Sequence, residues 1–319
     1  MTARVQPELF LRSSGAPAER ARRRAMIAAH PEIRDLIGPC PASAVLTTAL
    51  LAVQLAIAAW VGAHGIWIAM LAAIAIGALL ASNLVAMIHE AEHGLIFQRR
   101  SSNRLIAIVA NAGLVTPTAM PFFHYHRWHH VATGDYHLDV GIPTEFEASW
   151  VAGKAWRKAL WLATFPFFQW LRTRKFDAPQ RYWDRWMIAN FAAQAVVDGA
   201  ILYGWGWIAL AYLALSYALA VGLHPIGTRV VQEHVVIRPG AETNNHVGPS
   251  SLIECNFGHH AEHHDFPRVA WYRLPRISRI APEFYRDTPV FRSRTMLLVR
   301  FIADPKWDLR NHAVRQKPG

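Results

Sequence analysis

Three short stretches concentrate the residues able to do chemistry: HEAEH from His89 to His93, HRWHH with His126, His129 and His130, and HAEHH with His260, His263 and His264. On a helix, spacings of three and four put such imidazoles on one face, about 5–6 Å apart, so one turn can offer two or three nitrogen ligands. The chain has seventeen histidines but only two cysteines, Cys40 and Cys255. Two thiols make neither a disulfide framework nor a thiolate metal site, so a metal would be held by nitrogen or oxygen. Imidazole serves Zn, Cu, Fe and Ni alike, which leaves the metal open. One such pair alone is more often a polar surface patch than a ligand set. Eight imidazoles on one side of a bilayer would be costly to bury unless something coordinated them. HEAEH also fits HExxH, in which two His bind zinc and the Glu is general base. That metalloprotease alternative needs one zinc with three protein ligands, and it leaves both HxxHH stretches idle.

The elements that must carry these histidines are apolar. Hydrophobic residues make up 53% of the 319 and charged residues 17%, against about 25% charged in average soluble domains. Disordered, collagenous and disulfide-stapled classes are excluded. A net charge of +11 could suggest nucleic acid, but the excess flanks long charge-free stretches, as in a membrane protein with basic cytosolic edges. No Asp, Glu, Lys or Arg lies between Asp35 and Glu90. Within that window Ser43 to Val61 and Ile66 to Ile88 are each long enough to span a bilayer. They are joined by Gly62, Ala63, His64 and Gly65 between Trp60 and Trp67. A second pair, Met187 to Tyr203 and Trp207 to Leu223, turns at Gly204, Trp205 and Gly206. The expected fold is therefore all-α, with about four transmembrane helices in two hairpins and a histidine-rich cytosolic cap.

Arg20, Arg22, Arg23, Arg24 and Arg34 precede the first span, Arg99, Arg100 and Arg104 follow the second, and neither turn is basic. The positive-inside rule then makes the termini and long connections cytosolic. Some twenty residues separate the Arg cluster from the first span, so it is not the basic region of a signal peptide. Leu105 to Phe123, with Asn111, Pro117 and Pro121, reads as a buried or re-entrant segment, and Trp156 to Phe176 as an interfacial amphipathic helix. The expected organisation is a cytosolic N-terminal segment 1–43, a membrane domain 44–264 carrying the histidines, and a cytosolic cap 265–319 belonging to the same domain.

HxxxH followed by two HxxHH stretches at the ends of helical hairpins resembles the membrane fatty-acyl desaturase and hydroxylase superfamily. ARRRAMIAAHPEIRDLIGP, DVGIPTEFE, QEHVV, ETNNHVGPSSL and GHHAEHHDFPRV resemble the sphingolipid (dihydroceramide) Δ4-desaturases within it, from about Arg20 to near Phe301. The resemblance implies a non-haem di-iron site ligated mainly by histidine, O2 as oxidant and a long-chain lipid substrate. It implies nine ligands: His89, His93, His126, His129, His130, His260, His263, His264 and, in QEHVV, His234. It also implies that Asn256 holds a water near one iron. Metal-bound imidazoles usually donate their other N–H to a carboxylate or carbonyl, which makes Glu90, Glu92, Asp135, Asp139, Glu233, Glu262 and Asp265 candidate orienting groups. The chain has no CxxCH and no GxGxxG after a strand, so electrons are expected from a separate donor of cytochrome b5 or ferredoxin type, drawn to the basic face. Hydroxylation, or desaturation of another amphiphile, would use the same site.

His124 is expected to support the ligands or start a helix, and His259 lies outside the HxxHH register. His224 is expected at an interface, and His30, His64, His137, His246 and His312 in solvent or hydrogen-bond roles. Asp198 is the one charge inside an expected span, a position that is functional or interfacial. The chain departs from the family pattern at three places: Gly94 where an Asn commonly follows the first box, Arg127 and Trp128 where an acidic residue precedes the paired histidines, and Arg229 where His is common. An Ala- and Arg-rich composition suits a bacterial inner membrane; in a eukaryote the expected site is the endoplasmic reticulum.

Overall fold

The structure, a computed structural model, describes residues 8–13, 18–178 and 182–315. It is mostly helical, with two small two-stranded parallel pairings. Helix α1 (Ala18–Ala29) carries the Arg cluster. The first hairpin is α2 (Ala42–Gly62) and α3, which runs unbroken over Ile66–Glu92 for 27 residues. Gly65 opens α3 at φ +93, a backbone region that glycine enters without penalty. A rise of 1.5 Å per residue makes α3 about 40 Å long, longer than the roughly 30 Å hydrocarbon core. Its C-terminal turn carries HEAEH.

The segment Leu105–Phe123, expected to be buried or re-entrant, is covered by two helices, α4 (Arg100–Asn111) and α5 (Ala119–Val131). The break is built by Asn111: its side chain accepts from Ala119 N–H at 2.5 Å and donates to Thr116 O at 2.7 Å and Gln194 Oε1 at 2.6 Å. Val115 in the break has φ +64. α4 buries Ala107 and Ala110 and leaves Leu105 and Val109 outside, while Leu114, Ala119 and Met120 beyond it are buried.

The expected interfacial helix over Trp156–Phe176 is likewise divided. After α6 (Glu145–Val151) come α7 (Ala155–Ala163) and α8 (Phe165–Arg172), which meet at Thr164 and Pro166. Trp156, Leu160, Phe167 and Trp170 stay exposed along them.

The second hairpin is α9 (Arg185–Trp205), capped by Asp184, and α10 (Trp207–Ala220). α10 stops three residues before the expected end, and Gly222 just beyond it lies against the Leu162 backbone, where a Cβ would meet Leu162 O at 2.3 Å. Three helices, α2, α3 and α9, are long and apolar enough to cross a membrane, and α10 is shorter. α3 is central, half of its apolar window being buried, whereas α2 and α9 leave most of theirs facing outward. The π-turn Ala73–Gly77 sits where α3 crosses α10, and Gly77 lies so close that a Cβ would strike Ser216 Oγ at 2.2 Å.

Beyond α10 the chain makes α11 (Arg229–Gln232), α12 (His260–Asp265), α13 (Leu274–Ile280) and α14 (Arg294–Ala303). Both ends of the chain fold onto this part. Strand β1 (Leu11–Ser13) pairs with β4 (Ala313–Arg315), while β2 (Asn245–His246) pairs with β3 (Val290–Phe291). Met26, Ile33 and Leu36 share a core with Phe266, Val269 and Ile277. Arg22 Nε reaches Asp265 at 2.8 Å, and Tyr285 OH donates to the same carboxylate at 2.8 Å. The histidine stretches are thereby enclosed between the membrane helices and a cap built from both termini.

Candidate metal centre

The expectation that each HxxHH stretch presents its imidazoles on one face does not hold: both stretches are divided between two groups. His126 and His130 are one turn apart on α5 and face α3, while His129, rotated to the next position, faces away from them. On α12 the pattern inverts: His260 and His264 share a face, and His263 turns the other way. Two groups result, His89, His93, His126, His130 and His263 in one, and His129, His234, His260 and His264 in the other. Within each group one nitrogen of every ring lies within 4.8 Å of all the others. All nine sequence-derived ligand candidates are included. His234 joins from the loop after α11.

The nitrogen spacing is that of ligands around an ion. In the five-histidine group Nε2 of His126 is 3.0 Å from Nε2 of both His93 and His130, and His130 is 3.1 Å from His263. His89 packs its ring 4.6 Å from His126 and 4.3 Å from His263. In the four-histidine group His234 Nε2 stands 3.0 Å from His129 and 2.8 Å from His260, with His129 3.3 Å from His264. Two nitrogens bonded at about 2.1 Å to one metal and at right angles lie about 3.0 Å apart.

Protonation makes the same point. His129 Nδ1 donates to Asp139 Oδ1 at 2.8 Å, and His234 Nδ1 to Glu242 O at 3.3 Å. His264 Nδ1 faces Glu19 Oε1 at 3.3 Å, and His260 Nδ1 faces Glu233 Oε1 at 3.9 Å. With the N–H turned outward, each neutral ring points a lone pair inward. Four buried lone pairs aimed at one another repel unless a cation lies between them, so the donor set fits a metal.

Burial opposes protonation of His129, but the carboxylates of Asp139, Glu233 and Glu19 together raise the ring's pKa. Burial alone would raise Asp139, yet His129, His234 and the Gly134 N–H hold it well below the usual carboxylate range. Burial and the neighbouring His129 push His234 down to about 3.

The remaining acidic residues are used differently. Glu92 Oε2 lies 3.4 Å from His93 Nδ1 but makes no hydrogen bond. Glu90 accepts from Trp271 N–H at 3.1 Å, Asp135 from His137 N–H at 2.9 Å, and Asp265 binds Arg22 and Tyr285. Glu262 holds His259 Nδ1 at 3.0 Å and Asn245 Nδ2 at 2.6 Å. Asn256 adopts φ +48, and its carbonyl accepts from His259 N–H at 3.0 Å, turning the chain into α12. Asp198 accepts from Gln194 at 2.8 Å. His124 packs against Phe176 and Tyr182, His224 bonds Ile74 O at 3.1 Å, and His312 is buried on Leu309 O at 2.8 Å. His246 departs from its expected role: it is buried with neither ring nitrogen hydrogen-bonded.

Two contributors escaped the sequence. Glu19 is the only acid beside the Arg cluster, and nothing in its spacing ties it to His264, 245 residues away. The Asp139 loop is held by Arg172, which donates to Gly141 O at 2.9 Å while pairing with Glu147 Oε1 at 2.9 Å. Lys175, pushed down to about 7 by burial, donates to Asp139 O at 2.7 Å.

Apolar helices of membrane-spanning length, with imidazole clusters enclosed at the end of the longest, describe a membrane oxidoreductase. Residues 65–295 match the family model for fatty acid desaturases, and the chain belongs to that family. Residues 20–42 match a further model, sphingolipid Δ4-desaturase. A sphingolipid delta(4)-desaturase DES1-like protein of Oryza sativa subsp. japonica is 35% identical over 89% of this chain and 85% of its own. The Drosophila melanogaster sphingolipid delta(4)-desaturase DES1 is 34% identical over 89% and 88%. A Bos taurus protein named sphingolipid delta(4)-desaturase/C4-monooxygenase DES2 is 37% identical over 89% and 87%.

Proposed function

We propose that this chain uses O2 and two irons to introduce a double bond into a long-chain lipid of the sphingoid or dihydroceramide type. The observation that carries the proposal is the partition of nine imidazoles into two groups, each with nitrogens at ligand spacing. The five-histidine group would hold one iron and the four-histidine group the other. When bound, such a pair supplies the reduction of oxygen and the removal of hydrogen from unactivated methylenes, which side chains cannot perform as acids or bases. The rest falls to the chain. Asp139, Glu19 and Glu233 fix ring orientation, and the cap formed by both termini excludes water.

Two hydrogens from the lipid, two protons and two external electrons convert O2 to two waters. The electrons would come from an acidic donor of cytochrome b5 or ferredoxin type, attracted by exposed arginines such as Arg20, Arg24 and Arg127. The protein would be multi-pass with its site on the cytosolic face, in a bacterial inner membrane. Residues 44–264 would form the membrane domain, and segments 1–43 and 265–319 would close over it.

A second outcome on the same site, hydroxylation, is favoured by one observation: the bovine relative's name includes a C4-monooxygenase. The zinc protease alternative needs Glu90 free beside the metal, but its carboxylate is bonded to Trp271 N–H. Lipid mass spectrometry of cells expressing the chain tests the proposal. The expected product has lost two hydrogens; a gain of one oxygen marks hydroxylation, and unchanged lipids with iron loaded contradict both.

A further inference from the structure

One buried cation reaches toward both groups and has a donor to spare. Arg229 opens α11 just after the turn Ile226–Thr228, and its Nε pairs with Glu233 Oε1 at 3.1 Å. That same carboxylate oxygen faces His260 of the four-histidine group. The Arg229 guanidinium lies 3.8 Å from the centroid of Phe257, and Phe257 stands edge-on to His89 of the five-histidine group at 4.7 Å. Nη1 is buried and has no acceptor in the protein. A buried N–H without a partner is costly, so an oxygen is expected there when the site is in use.

Charge balance says what kind of oxygen. Arg229 is matched by Glu233, and neighbouring Arg294 is matched by Glu254 at 2.8 Å. Two neutral pairs call for no anion, so a carboxylate or phosphate would leave an uncompensated buried charge. A neutral acceptor fits. Resting on the substrate class proposed above, the geometry has a simple chemical counterpart. In a sphingoid lipid, carbons 1–3 bear the hydroxyls and the amide nitrogen, directly beside carbon 4. Desaturation starting at carbon 4 brings that polar end within a few bonds of the reacting methylenes.

We propose that Arg229 Nη1 donates a hydrogen bond to a neutral oxygen on the polar end of the lipid, the carbon-3 hydroxyl or the amide carbonyl, and so sets which pair of methylenes meets the metals. Arg229 is a positioning residue, and it discriminates among lipids by head group. The R229K variant keeps a cation for Glu233 but replaces the planar three-nitrogen fork by a single nitrogen, which cannot hold Glu233 and reach the Nη1 position at once.

The test is binding to the iron-loaded, full-length protein held anaerobically, so that no turnover intervenes. Three probes are used: a short-acyl dihydroceramide, its 3-deoxy analogue, and an analogue lacking the acylamino group. R229K should weaken dihydroceramide binding about tenfold and should bind one of the two analogues as well as the wild type does. The analogue on which the two proteins agree identifies the accepting oxygen. Equal weakening on all three probes, or none on dihydroceramide, overturns the proposal. Wild-type protein that binds dihydroceramide while R229K is unimpaired spares the substrate class and removes only Arg229's role. Wild-type protein that binds none of the probes removes the substrate class and the proposal with it.

Discussion

The five-histidine and four-histidine groups achieve the same enclosure by different means. The first is built on the end of a membrane helix: His89 and His93 ride on α3, and Nδ1 of both His89 and His263 is buried without a partner. The second is assembled from α5, α12 and a loop, and carboxylates or carbonyls stand behind every ring. Asp139, Glu19 and Glu233 stand near the four-histidine rings, whereas only Glu92, beside His93, stands near those of the five-histidine group among the described residues. The two groups are therefore unequal in nearby charge. An ion of higher charge is better matched by the four-histidine side, where Asp139, Glu19 and Glu233 approach.

Removing a ligand should have the largest effect and be specific to its group. In H130A iron should fall toward one per chain and turnover should vanish while the protein still inserts; H264A should do the same through the other group. Metal analysis with an activity assay checks this, and full activity in either variant contradicts the partition. Removing an orienting carboxylate should cost less and act on one side only. D139N is expected to lower iron affinity or activity about 10- to 100-fold, with the loss confined to the four-histidine site. E19Q should act on the same site more weakly, because Glu19 faces His264 at 3.3 Å outside hydrogen-bonding alignment. Iron titrations that show both variants weakening the five-histidine site would erase the contrast.

The smallest effect on chemistry, and a larger one on stability, is expected at Glu147, which supports the Asp139 loop through Arg172. Burial opposes its charge, but Arg172, Thr144 and Trp161 hold its pKa below the ordinary value. Leaving Arg172 buried without its partner should cost about 3–5 kcal/mol in E147Q. The sign with pH follows from the lowered value: Glu147's contribution is complete above about pH 4.5 and fades as pH falls through its folded-state pKa. The gap between wild type and E147Q in thermal unfolding should narrow on acidification. A gap that widens contradicts the ion pair.

The contrast between the groups also marks what the sequence made legible. The boxes, the hairpins and the metal-binding character followed from spacing and from a charge-free window. The spacing put His126, His129 and His130 on one face, whereas the structure sends His129 to the other group, because the ring it meets depends on how α5 and α12 are set against each other. His234 has no local spacing cue and came only with the family resemblance. Glu19 and Arg172 act across long stretches of chain that no periodicity connects. The close approach of Gly222 to the Leu162 backbone at the end of α10, and the Asn111 side chain bonding three partners between α4 and α5, are tertiary contacts. Hydropathy records neither.

The most direct test is the metal content of the purified protein together with its loss in paired variants. Two irons per chain are predicted, falling to one in H89A/H93A and to one in H260A/H264A. A single zinc retained through H260A/H264A would contradict the account.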